Sequence, residues 1–342
     1  IHYLPPYRGE TKITLSSLLG MPIERLHDGK SADLMFAVAE MREVKSAEEI
    51  AELEKAFHIG YDMHTTAMRM CREGVVEREI AGAMEGIAKS QGLGVSFPSI
   101  VSQHGETLHN LNCDGVLERG RLLLVDAGGE SVANYCSDHT RTYPVDGKFS
   151  DRQRDIYNIV LKAHDEAPKY MKTGAMYHND VHLRAYLILA EGLRDLGLIS
   201  GSPEDAVAAG AMYMFMPHGL SHGLGMDVHD CEAMGERSFD FSQLRERAEA
   251  SATCVYRAAW RLRAGTVMSD EPGIYFIPAL IDKSRSEGLY KGIVNYAKLD
   301  EYRDFGGIRI EDDIVVTDEG GRMIGDRRIP VTVEELETVV GK

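Results

Sequence analysis

Four acidic residues stand in stretches of sequence that are otherwise apolar or β-prone. They are Asp126 after Leu-Leu-Leu-Val, Asp138 inside Ser-Asp-His-Thr-Arg-Thr, Glu271 before Pro-Gly, and Glu311 after Ile-Arg-Ile. A buried strand normally excludes an unpaired carboxylate, because removing the charge from water is costly. Acids brought together in this way repel one another unless they share a proton or bind a cation. We therefore predict that the four acids converge on divalent metal ions.

Pairing with arginine is the alternative explanation for each acid taken alone. Arg141 and Arg309 lie close in sequence to Asp138 and Glu311 and are available for such pairs. The presence of four strand-borne acids in one chain favours a shared metal site over separate ion pairs.

A histidine-rich loop supplies the second part of the prediction. The run Pro217–Asp230 contains His218, His222 and His229 among glycines, which disfavour a regular helix. Glycine lets the backbone approach a metal closely and aim imidazoles at it. One imidazole added to four carboxylates suits manganese, cobalt or zinc. Two such cations about 3.5–4 Å apart can share bridging carboxylates and a water whose pKa they lower.

Helices precede β-like runs in each half of the chain, and the β-like runs hold the acids. Ser46 with Glu49, and Ser150 with Gln153, form capping boxes that predict helix starts. The predicted helices are 46–64, 76–90, 150–171 and 181–196, and the predicted strands are 97–102, 121–126, 134–145, 266–269, 273–277 and 307–317. This order predicts a duplicated α+β unit. We interpret His178 and His182, at the start of a predicted helix, as part of a solvent-exposed helix face.

The bulk composition excludes several classes of protein. The 342 residues are 44% hydrophobic and carry a formal net charge of −16, which disfavours binding to nucleic acid or to an anionic membrane. No apolar run approaches the roughly 18 residues that span a bilayer. The five cysteines are odd in number and lack a CxxC spacing, so we expect reduced thiols and a cytoplasmic location.

Taken together, these motifs resemble the pita-bread metallopeptidases, and within them the Xaa-Pro peptidases prolidase and aminopeptidase P. The resemblance covers about residues 42–340 and rests on five ordered motifs: Asp126-Ala-Gly-Gly, Ser137-Asp138-His-Thr-Arg-Thr, Met216-Pro-His218-Gly-Leu-Ser-His222-Gly-Leu-Gly-Met-Asp-Val-His229-Asp, Glu271-Pro-Gly-Ile-Tyr and Gly307-Ile-Arg-Ile-Glu311-Asp-Asp. It implies a pita-bread α+β fold with pseudo-twofold halves. Residues 36–342 would form the catalytic domain, 1–35 would be the tail of a missing N-terminal domain, and the protein could be a homodimer.

The resemblance also implies a role for each site residue. Two divalent metal ions, typically manganese with cobalt or zinc as substitutes, would be held by Asp126 and Asp138 on one side and by His222 and Glu271 on the other, with Asp138 and Glu311 bridging. Glu271 would transfer protons and His229 would stabilise the oxyanion. His218 would line the proline pocket, and His109 would assist proton transfer.

Within the family, the sequence favours prolidase, which cleaves Xaa-Pro dipeptides. A long insert, Ile281–Asp304, separates Glu271 from Glu311, as in prolidases. Arg257 stands where prolidases place an arginine for the substrate's C-terminal carboxylate, and Arg309 is a second predicted substrate-binding residue. The expected substrate is a small peptide with proline at the second position. The alternatives are an aminopeptidase P acting on longer peptides and a non-catalytic binding module that keeps the fold.

Several positions depart from the common family pattern. Asp126 and Asp138 are twelve residues apart, one more than usual, which predicts a bulge or a longer turn between them. His139 replaces a common isoleucine, and Ser269-Asp270 stands where Thr-Val is common. Asn110 follows His109 where tyrosine is frequent.

Overall fold

The computed structural model describes residues 1–232 and 261–342. Its α-helices within these ranges are α1 (Gly9–Leu19), α2 (Ala32–Glu43), α3 (Ala47–Met70), α4 (Glu77–Gln91), α5 (Asp151–Glu166), α6 (Leu183–Asp195), α7 (Pro203–Ala208), α8 (Pro278–Ser286), α9 (Tyr296–Leu299) and α10 (Val333–Val339). Its strands are β1 (Gly94–Val95), β2 (Ile100–Ser102), β3 (Leu122–Ala127), β4 (Gly129–Glu130), β5 (His139–Pro144), β6 (Val267–Asp270), β7 (Gly273–Tyr275), β8 (Gly307–Arg309), β9 (Asp312–Val316) and β10 (Gly321–Met323).

The predicted capping boxes start the long helices of both halves. Ser46 Oγ accepts a hydrogen bond from the Glu49 N–H at 3.3 Å, and Glu49 Oε2 accepts one from the Ser46 N–H at 2.8 Å. Ser150 and Gln153 make the same reciprocal pair at the start of α5. Since these bonds satisfy backbone donors that the first helical turn leaves unpaired, they fix where each helix begins.

Each half of the molecule places an antiparallel sheet after a pair of packed helices. Helices α3 and α4 pack together ahead of the sheet β2-β3-β5, and α5 packs on α6 ahead of the sheet β6-β9-β10. The halves meet where Thr140 of β5 exchanges backbone hydrogen bonds with Glu311. This arrangement confirms the α+β class and its order of helices before strands.

Four predicted strands are shorter in the structure, and for two of them the physical reason is visible. The strand predicted over 134–145 begins only at His139, because Asn134 has φ +66° and lies in a turn closed by the Ser131 N–H bond to Tyr135 O. The strand predicted over 307–317 is divided into β8 and β9, since Glu311 pairs with β5 of the other half.

The N-terminal residues fold against the histidine loop. Met35 and Ala39 of α2 pack with Cys231 in a small cluster separate from the main hydrophobic core. Asp230 is paired with Arg42 at 2.5 Å and with Lys45 at 2.8 Å. Residues 1–35 contain α1 and the start of α2. Their assignment to the tail of a missing N-terminal domain stays a prediction. Within the described ranges, none of the helices has both the length and the apolar character needed to cross a bilayer.

Candidate metal centre

The first two predicted ligands lie on one face of the β3–β5 pair. Asp126 is opposite Thr140 in the register, and Asp138 precedes Thr140 by two residues, so its side chain points to the same face. The chain between the two acids turns where the Ser131 N–H donates to Tyr135 O at 2.8 Å. Gly128, between the same two acids, has no room for a side chain, because a Cβ atom would lie 1.7 Å from the Ser137 carbonyl oxygen.

The remaining two acids occupy the ends of strands in the second half. Glu271 directly follows β6, and its N–H donates to Leu220 O at 2.9 Å. Glu311 lies between β8 and β9, where the Thr140 hydroxyl donates to its Oε2 at 2.7 Å. Each carboxylate is thus fixed by backbone or side-chain bonds that reach outside its own strand.

The histidine loop brings His222 against these acids. Its N–H donates to Ser269 Oγ at 3.0 Å, and the Ser269 N–H donates to His222 O at 3.0 Å. His222 Nδ1 lies 3.1 Å from Gly223 O, which can only accept, so Nδ1 carries the proton in this contact. The unprotonated Nε2 is then directed at the acids, 3.4 Å from Asp138 Oδ2 and 3.7 Å from Glu271 Oε1. This is the tautomer that a metal requires.

The five predicted ligands surround one cavity of about 440 Å³. Three groups of side chains each place one ligand atom per residue within 4.8 Å of the others: Asp126 with Asp138 and Glu311, His222 with Glu271 and Glu311, and Asp138 with His222 and His229. Glu311, Asp138 and His222 each belong to two of the three groups, so the groups overlap in one cluster, while the bridging roles stay a prediction.

The electrostatics of the cavity fit a bound cation. Burial and the neighbouring Asp126 raise the pKa of Asp138 well above its usual value. Burial and then Asp138 do the same to the pKa of Glu311. Asp126 Oδ1 and Asp138 Oδ1 are buried and accept no hydrogen bond from the described residues. Buried oxygen atoms that accept no hydrogen bond, together with one imidazole nitrogen, form a set of ligand atoms suited to divalent manganese, cobalt or zinc.

The two arginines considered as alternative partners of the acids bind different carboxylates. Arg309 Nη2 donates to Asp126 Oδ2 at 2.5 Å, while its Nε and Nη1 donate to Thr140 Oγ1 and to the Tyr275 hydroxyl. Arg141 instead binds Asp312, which is not a predicted ligand. Arg309 therefore orients Asp126 at the edge of the cavity, and its contact with substrate stays a prediction.

A chain of hydrogen bonds links Arg309 to His218. His218 Nδ1 lies 2.8 Å from Gly219 O, so Nδ1 carries the proton and Nε2 accepts from the Tyr275 hydroxyl at 2.9 Å. Burial raises the pKa of Tyr275 to about 12, which keeps the phenol protonated and able to donate. His218 Nδ1 is also 3.7 Å from Glu271 Oε2. The side chain predicted to line the proline pocket is thus held beside the predicted proton-transfer residue.

His229 enters the cavity with a partner that the sequence analysis missed. Its ring centroid is 4.1 Å from that of His222, and its Nδ1 is 2.7 Å from Glu232 Oε2. The His-x-x-Glu spacing was the available signal. His109 also lines the cavity, next to Asn110, whose side chain donates to Ser102 Oγ at 2.9 Å.

Two further predictions need comment. The interpretation of His182 as part of an exposed helix face was wrong: the side chain is fully buried, its Nδ1 accepts from the Leu220 N–H at 3.2 Å, and burial lowers its pKa to about 3. A π-helical turn over Tyr177–His182 precedes α6 and places this imidazole beneath the histidine loop. Arg257 lies outside the described residues.

Comparisons with known sequences agree with the geometry. The sequence profile of Metallopeptidase family M24 matches residues 51–318. A protein named "probable Xaa-Pro aminopeptidase" from Talaromyces marneffei is 33% identical over 325 residues, which are 92% of this chain and 66% of that protein. One of the same name from Aspergillus fumigatus is 35% identical over 315 residues, 88% of this chain and 63% of that protein. The chain thus spans slightly less than two thirds of the length of these curated relatives.

Solved structures give the same result for the fold. Aminopeptidase PepP of Pseudomonas aeruginosa superposes with a TM-score of 0.76 at 28% identity, covering 99% of this chain and 70% of that one. Zinc-substituted aminopeptidase P of Escherichia coli in complex with product superposes with a TM-score of 0.75 at 29% identity, with the same coverage. These similarities confirm the predicted pita-bread fold. The predicted homodimer and cytoplasmic location stay predictions.

Proposed function

Because the chain belongs to metallopeptidase family M24, we propose that it is an Xaa-Pro aminopeptidase, which removes the residue that precedes proline at the start of a peptide. The observation that carries the proposal is the convergence of the five predicted ligands, Asp126, Asp138, His222, Glu271 and Glu311, on one cavity that His218 and His229 also line. The names of the relatives support the choice of substrate.

Peptides longer than dipeptides are the favoured substrates, contrary to the preference for prolidase derived from the sequence. The relatives are named Xaa-Pro aminopeptidases. The insert that suggested prolidase forms α8 and α9, and among the described residues the cavity lining includes none from Ile281–Asp304. The Phe276 ring stacks on that of Tyr302 in this insert, with centroids 4.7 Å apart, so this part of the insert packs on the residue that follows β7.

Each side chain of the cavity has a separate role in the proposed reaction. Two divalent cations, which we propose to be manganese, would supply Lewis acidity and lower the pKa of a shared water toward neutrality. Glu271 accepts a proton from the attacking water and passes it to the prolyl nitrogen, which leaves as a secondary amine and needs that proton. His229, whose Nδ1 faces Glu232 Oε2 at 2.7 Å, donates from Nε2 to the developing oxyanion in its doubly protonated form. His218, held by Tyr275, shapes the pocket for the proline ring, because an imide nitrogen has no N–H to recognise.

A three-substrate assay tests the proposal. The purified protein, loaded with Mn²⁺, is given Ala-Pro-Ala, Ala-Pro and Ala-Ala-Ala, and release of free alanine is followed by chromatography. We expect Ala-Pro-Ala to be cleaved fastest and Ala-Ala-Ala to resist cleavage. Faster cleavage of Ala-Pro would restore the prolidase assignment, and equal cleavage of Ala-Ala-Ala would remove the requirement for proline.

A non-catalytic binding module is the remaining candidate from another class. Loss of metal ligands would favour it, whereas all five predicted ligands are present and converge. Metal-loaded protein that binds Ala-Pro-Ala in calorimetry without cleaving it would support this alternative.

A further inference from the structure

A buried glutamate at the start of α4 contacts both ends of a loop that lines the metal cavity. Glu77 is the first residue of α4 and is only 3% exposed. Glutamate is rarely buried so deeply unless its carboxylate is paired, because removing the charge from water is costly. Glu77 is not adjacent in sequence to any predicted metal ligand, so its burial needs an explanation of its own.

Each carboxylate oxygen of Glu77 accepts a hydrogen bond from one end of the loop over residues 103–115, here called the rim loop. Oε1 accepts from the Gln103 N–H at 2.8 Å, and Oε2 accepts from the Gly115 N–H at 3.0 Å. The Glu77 N–H also donates to Gly115 O at 2.9 Å. Hydrogen bonds to an ionised acceptor are about twice as strong as neutral ones. One side chain thus joins the two ends of the rim loop.

The remaining contacts around Glu77 fit this arrangement closely. The Gln103 side chain spans the same gap, since it donates to Val116 O at 2.9 Å and accepts from the Glu118 N–H at 2.7 Å. Gly115 leaves room for the carboxylate, because a Cβ atom there would lie 2.8 Å from both of its oxygens. An alanine at this position would therefore displace the Glu77 carboxylate.

The rim loop carries side chains that line the cavity of the metal centre, namely Leu108, His109 and Leu111. Leu111 is 59% exposed, so its position depends on the backbone of the loop more than on packing in the core. The loop also touches β8 of the other half, because a Cβ atom on Gly105 would lie 2.6 Å from Gly307 O. A change in the course of this loop would alter the wall of the cavity and leave the strands that carry the ligands in place.

We propose that Glu77 is a positioning residue for peptide cleavage, because it holds both ends of the rim loop and so presents His109 and the two leucines to the substrate. The carboxylate acts through the loop and does not touch the substrate itself. Small displacements of groups that orient a substrate can lower the rate greatly. The inference rests on the proposed function and adds to it the element that places His109.

Matched alanine variants in the first turn of α4 test the inference without substrate. Glu77→Ala removes both bonds to the rim loop, whereas Glu79→Ala removes a carboxylate that accepts from the Val76 N–H at the start of the same helix. Hydrogen–deuterium exchange of the Mn²⁺-loaded protein is followed by mass spectrometry over peptides that cover residues 103–115. We expect exchange there to be about tenfold faster in Glu77→Ala, as for the loss of a hydrogen bond to a charged group. Glu79→Ala should match wild type over these peptides.

Cleavage of Ala-Pro-Ala then tests whether the loop positions groups for the reaction. We expect kcat/KM to fall by about 10–100-fold in Glu77→Ala and to stay at the wild-type value in Glu79→Ala. Elemental analysis should give two Mn²⁺ ions per chain in both variants. Adding His109→Ala to Glu77→Ala should cost less than His109→Ala does in the wild type, because coupled residues are not additive. A loss of stability alone would not produce this coupling.

The result in each measurement supports or overturns the proposal. Unchanged exchange in Glu77→Ala, wild-type kcat/KM despite faster exchange, or loss of Mn²⁺ from that variant would overturn it. If Glu77→Ala does not fold, Gly115→Ala replaces it and should show the same faster exchange and lower kcat/KM. Wild-type protein that binds two Mn²⁺ ions but cleaves no Xaa-Pro peptide would contradict the proposed function. The exchange comparison, which needs no substrate, would still decide whether Glu77 holds the rim loop.

Discussion

The metal cavity adjoins a second cluster of buried polar side chains, here called the support layer (Asp270, Asp312, Asp313, His139, His164 and Arg141), and two neighbouring acids of these clusters, Glu311 and Asp312, titrate in opposite directions. Glu311 and Asp312 are adjacent in sequence and equally buried. The pKa of Glu311 is raised by burial and by Asp138, whereas the pKa of Asp312 is well below its usual value. Burial raises the pKa of both, so the difference comes from their partners. Arg141 donates to Asp312 at 2.8 and 3.0 Å, while the charges that act most strongly on Glu311 are other acids, with Arg309 opposing them only in part.

This contrast distinguishes a binding site from a structural cluster. Where the chain supplies its own cation, as Arg141 does for Asp312, the carboxylate is paired and the ion pair stabilises the fold. Where acids outnumber the cationic partners, as around Asp138 and Glu311, the missing positive charge must come from outside the chain. The comparison therefore predicts that Asp138 and Glu311 respond to metal and that Asp312 does not.

Removing Glu311 should give the largest effect, because it would serve both metals. We expect Glu311→Ala to lower kcat for Ala-Pro-Ala by more than about 100-fold, since loss of an outer partner already costs about 10–100-fold. Elemental analysis should show fewer than two metals per chain. Glu319→Ala, on an exposed turn beyond β9, is the control and should match wild type. Full activity of a folded Glu311→Ala protein would refute the dinuclear site.

Removing Arg141 tests the buried ion pair that lowers the pKa of Asp312. Arg141→Met leaves Asp312 buried beside His139 and His164 without its guanidinium. Loss of one partner from a buried ion pair typically costs about 3–5 kcal/mol, so we expect a decrease of that size in the free energy of unfolding, measured with denaturant in metal-free protein.

The double variant Arg141→Met/Asp312→Leu separates charge from packing. Since it leaves no unpaired charge at Asp312, it should be more stable than Arg141→Met. Equal stability of the two variants would show that Arg141 acts through its bulk alone.

The convergence of the five predicted ligands on one cavity was predictable from sequence, whereas the support layer was not. Asp126 and Glu311 were recognisable because a carboxylate after an apolar strand is unusual wherever the strand packs. His164 gave only a weak signal, a histidine on the buried face of α5 beside Ala163 and Val160. Its position 3.3 Å from Asp312 Oδ2 depends on how α5 packs against the rest of the fold, and tertiary packing of this kind is not encoded in local spacing.

The smallest predicted effect of the difference between Glu311 and Asp312 is a gradual change of Mn²⁺ affinity with pH. In metal-free protein the raised pKa values of Asp138 and Glu311 mean that these groups hold protons above about pH 4, where ordinary carboxyls are ionised. Between that pH and the raised values, the folded chain binds more protons than the unfolded one. These two groups therefore reduce stability as pH rises, and Mn²⁺ must displace their protons to bind.

Affinity should accordingly rise by up to about tenfold per pH unit for each proton released, and level off above the raised pKa values. Calorimetric titrations at several pH values, in buffers with different ionisation enthalpies, count the protons directly. Asp312 should contribute none, because its pKa is well below the usual value and the group is already ionised before metal binds. An affinity independent of pH, with no proton release, would mean that the acids of the cavity are already ionised before metal binds. The distinction between the cavity and the support layer would then have to rest on geometry alone.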